Sequence, residues 1–229
     1  MCGKFTAMAS WREVVAFSQP LNRDPNEPED RSVTFRVMAA VPMIVWDADA
    51  GHRRVVPMRW GFPHPKDPRR PQPIHARSET IDSTKAFASA FQDGQRGIAL
   101  VKTFNEAPDV EGPTVQHTIT PGDEPAIGIA FVWRRFDIEG VPVPMLACCM
   151  VTVPANKLIA TLPTDRMPAV LAPEDWAIWL GEEAADVERV KACLKTVEGV
   201  KWTMSREERK ADPKMKRRPP TVSDPGGLF

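Results

Sequence analysis

"RGIALVKTF" (96–104) is β-branched and apolar along most of its length, and a run of this kind reads as a strand. Six further runs share its character: "VTFRVM" (33–38), "MIVW" (43–46), "RRVVPMRWGF" (53–62), "TVQHTI" (114–119), "AIGIAFVWRRF" (126–136) and "VPMLACCMVTV" (143–153). Pro, Gly and Asp separate them. Helical pieces are expected at about 83–91, 155–160, 173–180 and 184–195, the third with Pro173 in its first turn and Gly181 as its stop. Ser10 and Glu13 have capping-box spacing ahead of Trp11, Val14, Val15 and Phe17, which predicts a short helix over 11–18. Strands dominate and helices are inserted between them. The expected fold is therefore α+β: one domain over 2–204, built on a strongly curved, mainly antiparallel sheet forming a pseudo-barrel with peripheral helices. Residues 205–229 read as a basic, Pro- and Gly-rich tail.

Thirty Lys and Arg balance thirty Asp and Glu, so bulk charge does not decide between classes of partner. The distribution is uneven: 201–218 holds eight basic and three acidic residues. Cys2, Cys148, Cys149 and Cys193 have neither CxxC spacing nor a paired His motif, which argues against a zinc site or a disulfide framework. No run approaches 18 apolar residues and no charged-then-apolar leader opens the chain, so a cytoplasmic protein without a membrane span is expected.

Four stretches mix charged residues with Trp, Gly or Pro where a plain strand would alternate: "MRWGF" (58–62), "HARSET" (75–80), "FNEA" (104–107) and "TDRMPAVL" (164–171). With the opening "MCGKF" they resemble the SOS response-associated peptidase family, also called abasic site processing proteins. In that family the chain opens Met-Cys-Gly-Arg, followed by "WGL" or "WGF", "NARSET", a strand ending "FYEW", and "HDRMP" after "AN". The order and spacing are matched over nearly the whole chain. The departures are specific: His75 replaces the family Asn, Thr164 replaces the family His, Lys4 replaces Arg, and "RGIALVKTFNEA" (96–107) keeps only Arg96, Phe104 and Glu106 of its counterpart.

The resemblance implies binding of single-stranded DNA and covalent capture of abasic sites in the DNA-damage response. An α-amine titrates at roughly 7.7–8.0 and condenses with the ring-opened sugar's aldehyde. A thiol on the same residue then closes a five-membered thiazolidine, an intramolecular step with effective molarity of roughly 10⁵ M or more. Only an N-terminal Cys carries both groups, so loss of Met1 is required, by the family's self-cleavage or by ordinary aminopeptidase action. By the same resemblance Glu106 is the acid/base, His75 either inherits the acid/base role lost at Thr164 or is structural, and Lys4, Arg77 and Arg166 contact phosphates. Trp60 and Phe62 either stack on unpaired bases or belong to the core. The partner is single-stranded DNA with abasic sites, met by a monomer that uses no metal or other cofactor.

Two alternatives remain at this point. One is a noncatalytic single-stranded-DNA-binding relative, favoured by the lost His, Asn, Tyr and Trp. The other is an N-terminal-nucleophile amidohydrolase, which would share Cys2 and need an oxyanion hole.

Overall fold

The computed structural model describes residues 2–7, 33–107, 115–122, 126–199 and 201–207, Pro68 by its backbone alone, and the apolar runs pair there as strands. In chain order these are β1 (Lys4–Ala7), β2 (Val33–Arg36), β3 (Ala40–Asp47), β4 (His52–Trp60), β5 (Pro63–His64), β6 (Asp67–Pro71) and β7 (His75–Arg77). There follow β8 (Arg96–Glu106), β9 (His117–Thr120), β10 (Ile127–Phe136), β11 (Met145–Pro154), β12 (Arg166–Pro168), β13 (Val170–Leu171) and β14 (Thr203–Arg206). The helices are α1 (Ala88–Gln92), α2 (Trp176–Leu180) and α3 (Val187–Ala192). The helix expected over 11–18 and the tail beyond residue 207 lie outside the described residues.

Five strands close on themselves. β10 pairs β11, β11 pairs β4, β4 pairs β3, β3 meets β8 at Ile44↔Ile98, and β8 returns to β10. All these pairings are antiparallel except β11–β4, so the expected curved, mainly antiparallel sheet is a closed barrel. The central runs of β8 and β10 are buried on both faces, which explains their near-continuous apolar sequence. The barrel interior covers one face and α2 packs over the other. There Trp179 donates its indole N–H to Gly97 O at 3.0 Å, and the Trp176 ring lies against Gly128. Arg96 is buried beneath α2, donating to Trp179 O and to Phe91 O at 2.6 Å.

The helices are shorter than the sequence pattern suggests. Gly181 ends α2 in the left-handed region at φ 87°, its N–H bonded to Ala177 O and Ile178 O. Pro173 opens a 3₁₀ turn, Pro173–Asp175, that leads into the same helix. Only Ile159–Thr161, also 3₁₀, forms where a helix was expected at 155–160. Asp186 caps α3 by accepting from Arg189 N at 2.7 Å, starting that helix at Val187.

One excursion of the chain positions the site. β4 leaves β11 at Trp60↔Cys148, and β7 rejoins β11 two residues further along, at His75↔Met150. The intervening residues form the β5–β6 hairpin, whose base is closed by Phe62 N to Pro73 O at 3.0 Å and Gln72 N to Phe62 O at 2.8 Å. Gly61 is the pivot: at φ 102° a Cβ there would sit 2.6 Å from the Pro71 Cβ. This brings the Trp60 and His75 rings within 6.4 Å of each other.

The domain extends past the expected boundary at 204. β14 pairs with β9 through Arg206, and Glu207 is bonded to residues of β1, β8 and β9, because the Thr203–Arg206 segment continues the sheet instead of leaving it.

Gly128 tests the packing of α2 on the barrel. A Cβ there would meet Trp176 Cζ2 at 2.7 Å and Ile98 Cγ2 at 3.0 Å. Gly128→Ala is expected to lower stability by about 1–3 kcal/mol, read as a lower urea midpoint; an unchanged midpoint would show that the indole does not constrain this face.

Candidate active site

The site is set by where β1 lies. β1 inserts between β2 and β8, with Lys4 opposite Asn105 and Phe5 opposite Phe104. Phe5 is fully buried, its ring 5.0 Å from Trp60 and 6.3 Å from Phe131. In an antiparallel pair the residues before Lys4 lie beside those after Asn105. Cys2 is thereby carried to Glu106, the last residue of β8.

Cys2 is buried, and its Sγ donates to Lys4 O at 3.3 Å. Its carbonyl oxygen lies 2.7 Å from His75 Nε2. A carbonyl only accepts, so Nε2 carries the proton and Nδ1 presents a lone pair. Nδ1 is buried without a hydrogen-bond partner among the described residues. One edge of His75 therefore clamps the Cys2 carbonyl, and the other is an acceptor.

Burial governs the protonation of all three groups. It pushes the Cys2 thiol up to about 12, with the Glu106 charge adding to the effect. It pushes the Glu106 carboxyl up too, against the pull of the chain's amino-terminal charge and of the Cys2 backbone N–H. The same desolvation pushes His75 down to about 4, outweighing its bond to the Cys2 carbonyl. At neutral pH His75 is an uncharged imidazole whose one N–H is already engaged. Cys148, Cys149 and Cys193 are buried and free, and burial raises each thiol.

The structure gathers Cys2, Glu106 and His75; it assigns several other expected residues to packing or pairing. Trp60 is fully enclosed and its indole N–H is bonded to Ile74 O at 3.2 Å. Phe62 is buried against Phe87 and Phe136, with ring centroids 5.8 and 5.1 Å away. Base stacking is thus corrected for both: they are core aromatics with no open face. Arg166 is also corrected. It is buried, pairs with both carboxylate oxygens of Glu79, and donates to Thr152 O, so its guanidinium is committed within the protein. That pair holds the Glu79 carboxyl down to about 2. Thr164 makes local bonds, Oγ1 to Arg166 O at 3.4 Å and N to Leu162 O at 2.7 Å. Arg77 is exposed. Lys4 is paired with Glu207 at 2.7 Å.

Asn105, Thr118 and Glu207 escaped the sequence reading. Lys4, Asn105, Thr118 and Ser205 form one row across four strands, while Phe5, Phe104, Ile119 and Met204 form the neighbouring apolar row. Alternation of polar and apolar residues in "KFTA" and "TFN" is the signal that could have found Lys4 and Asn105 on one face. Among the described residues, no group of three or more His, Cys, Asp or Glu is arranged to hold a metal ion, and no helix is long and apolar enough to cross a membrane.

The family model described as SOS response associated peptidase (SRAP) matches residues 1–209. The abasic site processing proteins YoqW and YobE of Bacillus subtilis (strain 168) are each 24% identical to this chain over 200 residues, covering 85% of it and 86% and 88% of their own lengths. A crystal structure of a protein from Bacteroides thetaiotaomicron superposes with a TM-score of 0.75 at 17% identity, covering 91% of this chain and 93% of that one. At that identity the likeness shows the fold alone.

The shifted groups make stability depend on pH. The unfolded His75 accepts a proton below about pH 6.5, which the folded site refuses until about pH 4. Its contribution therefore falls as pH drops through that window, by on the order of 3 kcal/mol. His75→Asn should show a shallower acid loss of stability in urea titrations, and equal slopes would contradict a buried neutral imidazole. Glu106 has the opposite sign. The unfolded carboxyl ionises first, so stability is lost as pH rises from 4.5 through the raised folded value. Glu106→Gln should be more stable than wild type at pH 7, with the difference shrinking toward pH 4.

Proposed function

The chain belongs to the SOS response associated peptidase family, and from that premise we propose that it processes abasic sites in DNA through Cys2. The printed names of YoqW and YobE support the abasic-site role, and the family match supports a DNA-processing enzyme. The observation that carries the finer reading is the buried juxtaposition of Cys2 with Glu106 and His75.

Loss of Met1 turns the Cys2 nitrogen into an amine beside Glu106. That amine attacks the aldehyde of the ring-opened sugar, and the carbinolamine loses water to give an imine. The thiol then adds across the C=N bond: a C–S bond forms, the C=N bond becomes C–N, and the thiol proton ends on nitrogen. A thiol held protonated is a slow nucleophile, which orders the steps with the imine first. Glu106, its carboxyl raised by burial, exchanges the protons that these steps require. His75 acts by holding the Cys2 carbonyl, which fixes the direction of the amine. The peptidase of the family name corresponds here to exposure of Cys2.

Single-stranded DNA is the substrate in this reading, with exposed Arg77 as a phosphate contact. A second reading, binding without trapping, draws on Thr164 standing where the family has His.

Met1-free protein incubated with single-stranded DNA bearing one abasic site should give a heat-stable shifted band on a denaturing gel. Cys2→Ala should abolish it, and Glu106→Gln should slow its appearance by about a hundredfold or more. Salt-sensitive native binding without any such band would favour the noncatalytic reading.

A further inference from the structure

A second polar cluster lies two residues from Cys2 and one from Glu106, and the mechanism above does not use it. Glu207 Oε1 receives three donors: Lys4 Nζ at 2.7 Å, Asn105 Nδ2 at 2.8 Å and Thr118 Oγ1 at 3.0 Å. Lys4 Nζ also reaches Oε2 at 3.0 Å, and Asn105 Nδ2 is tied to Thr118 Oγ1 at 2.8 Å. The donors come from β1, β8 and β9 at directly opposed positions, Lys4↔Asn105 and Asn105↔Thr118, so rigid sheet sets their spacing. Asn105 is itself buried. These donors hold the Glu207 carboxyl below the usual carboxylate range, the Lys4 bond contributing most.

An ammonium, an amide N–H and a hydroxyl converging on one oxygen are the donor types that proteins direct at phosphate oxygens. The occupant is a carboxylate from the chain itself, on a residue whose backbone N–H donates to Gln116 O at 2.8 Å. Glu207 follows β14, which among the described residues pairs with β9 alone and is largely exposed. The Lys4–Glu207 pair is partly open to solvent, a setting in which ion pairs add little stability. Lys4 is roughly 7 Å of extended chain from Cys2, so one nucleotide can lie against both.

We propose that Lys4, Asn105 and Thr118 form a phosphodiester-binding subsite beside Cys2, and that Glu207 occupies it as a built-in competitor until a DNA strand displaces it. The proposal rests on the reading that DNA is the substrate. Glu207 lowers affinity for nucleic acid in general, since the contact it blocks is to the backbone and not to a base. Strands too short or too weakly bound to displace it are disfavoured, and Lys4 is withheld from other anions.

The test is fluorescence anisotropy with a labelled single-stranded oligonucleotide lacking an abasic site, using the full chain. Glu207→Gln should bind about threefold to tenfold tighter than wild type at low salt, with a log–log salt slope steeper by about 0.7, one added phosphate contact. Glu207→Asp, whose carboxylate is drawn back from the donors, should gain less. Glu207→Gln combined with Lys4→Gln should lose the gain. Urea titration separates folding from binding, and a less stable Glu207→Gln that still binds tighter supports the proposal. Unchanged or weaker binding by both Glu207 variants, or a gain that survives loss of Lys4, would overturn it. A failed crosslink at abasic DNA with these affinity changes intact would sink the catalytic reading alone.

Discussion

Burial of Phe5 is the interaction on which the site depends. Its ring fills the space between Trp60, Phe35 and Phe131, and burying such a side chain is worth about 1.5–3 kcal/mol. That contact and the strand pairing with β2 and β8 on either side fix the register of a four-residue strand, and the register delivers Cys2 to Glu106. The second support is the Gly61 excursion, which lets β4 and β7 share one side of β11 and places His75 over the Cys2 carbonyl. Trp60 joins the two supports by touching both Phe5 and His75. The aromatic residues that the sequence offered as base-stacking platforms are thus the frame of the site.

The electrostatics follow from this enclosure. A carboxyl, a thiol and an imidazole held together out of water each move toward the neutral form. Such an arrangement costs stability and keeps the thiol in its slow, protonated form. In the proposed mechanism, chemistry begins at the amine, the group that loss of Met1 creates. The other face of the same strands is arranged differently: partly exposed Lys4 and Thr118 and buried Asn105 together hold an anion. Period-two alternation along β1 and β8 sends Phe5 and Phe104 into the core and Lys4 and Asn105 to the anion cradle.

The long strands were legible because each carries an apolar run matched to a doubly covered barrel wall, as in "RGIALVKTF" and "AIGIAFVWRRF". The shortest were not. β7, β12 and β13 have two or three residues each, too few to show a period, and exist because β10 and β11 offer them an edge. Cys2 and Glu106 could be singled out because their motif positions survive, and His75 because it stands where the resembled family has Asn. The functions expected of Trp60, Phe62 and Arg166 could not be checked from sequence, since an aromatic beside glycine reads the same in a core as at a surface. A lone Arg gives no hint that Glu79 lies within reach. Glu207 was hidden by its neighbours: the basic, Pro-rich composition around it masks a strand that is still part of the sheet.

In the proposed mechanism the Cys2 nitrogen and sulfur both bond to one carbon of the abasic sugar. Peptide mapping by mass spectrometry of the crosslinked product tests it most directly. The expected product is an adduct on an N-terminal peptide beginning at Cys2, with a mass equal to peptide plus abasic nucleotide minus one water, and no free thiol available to alkylation. An adduct on a lysine, on a chain retaining Met1, or on an N-terminal peptide whose thiol still alkylates would contradict it.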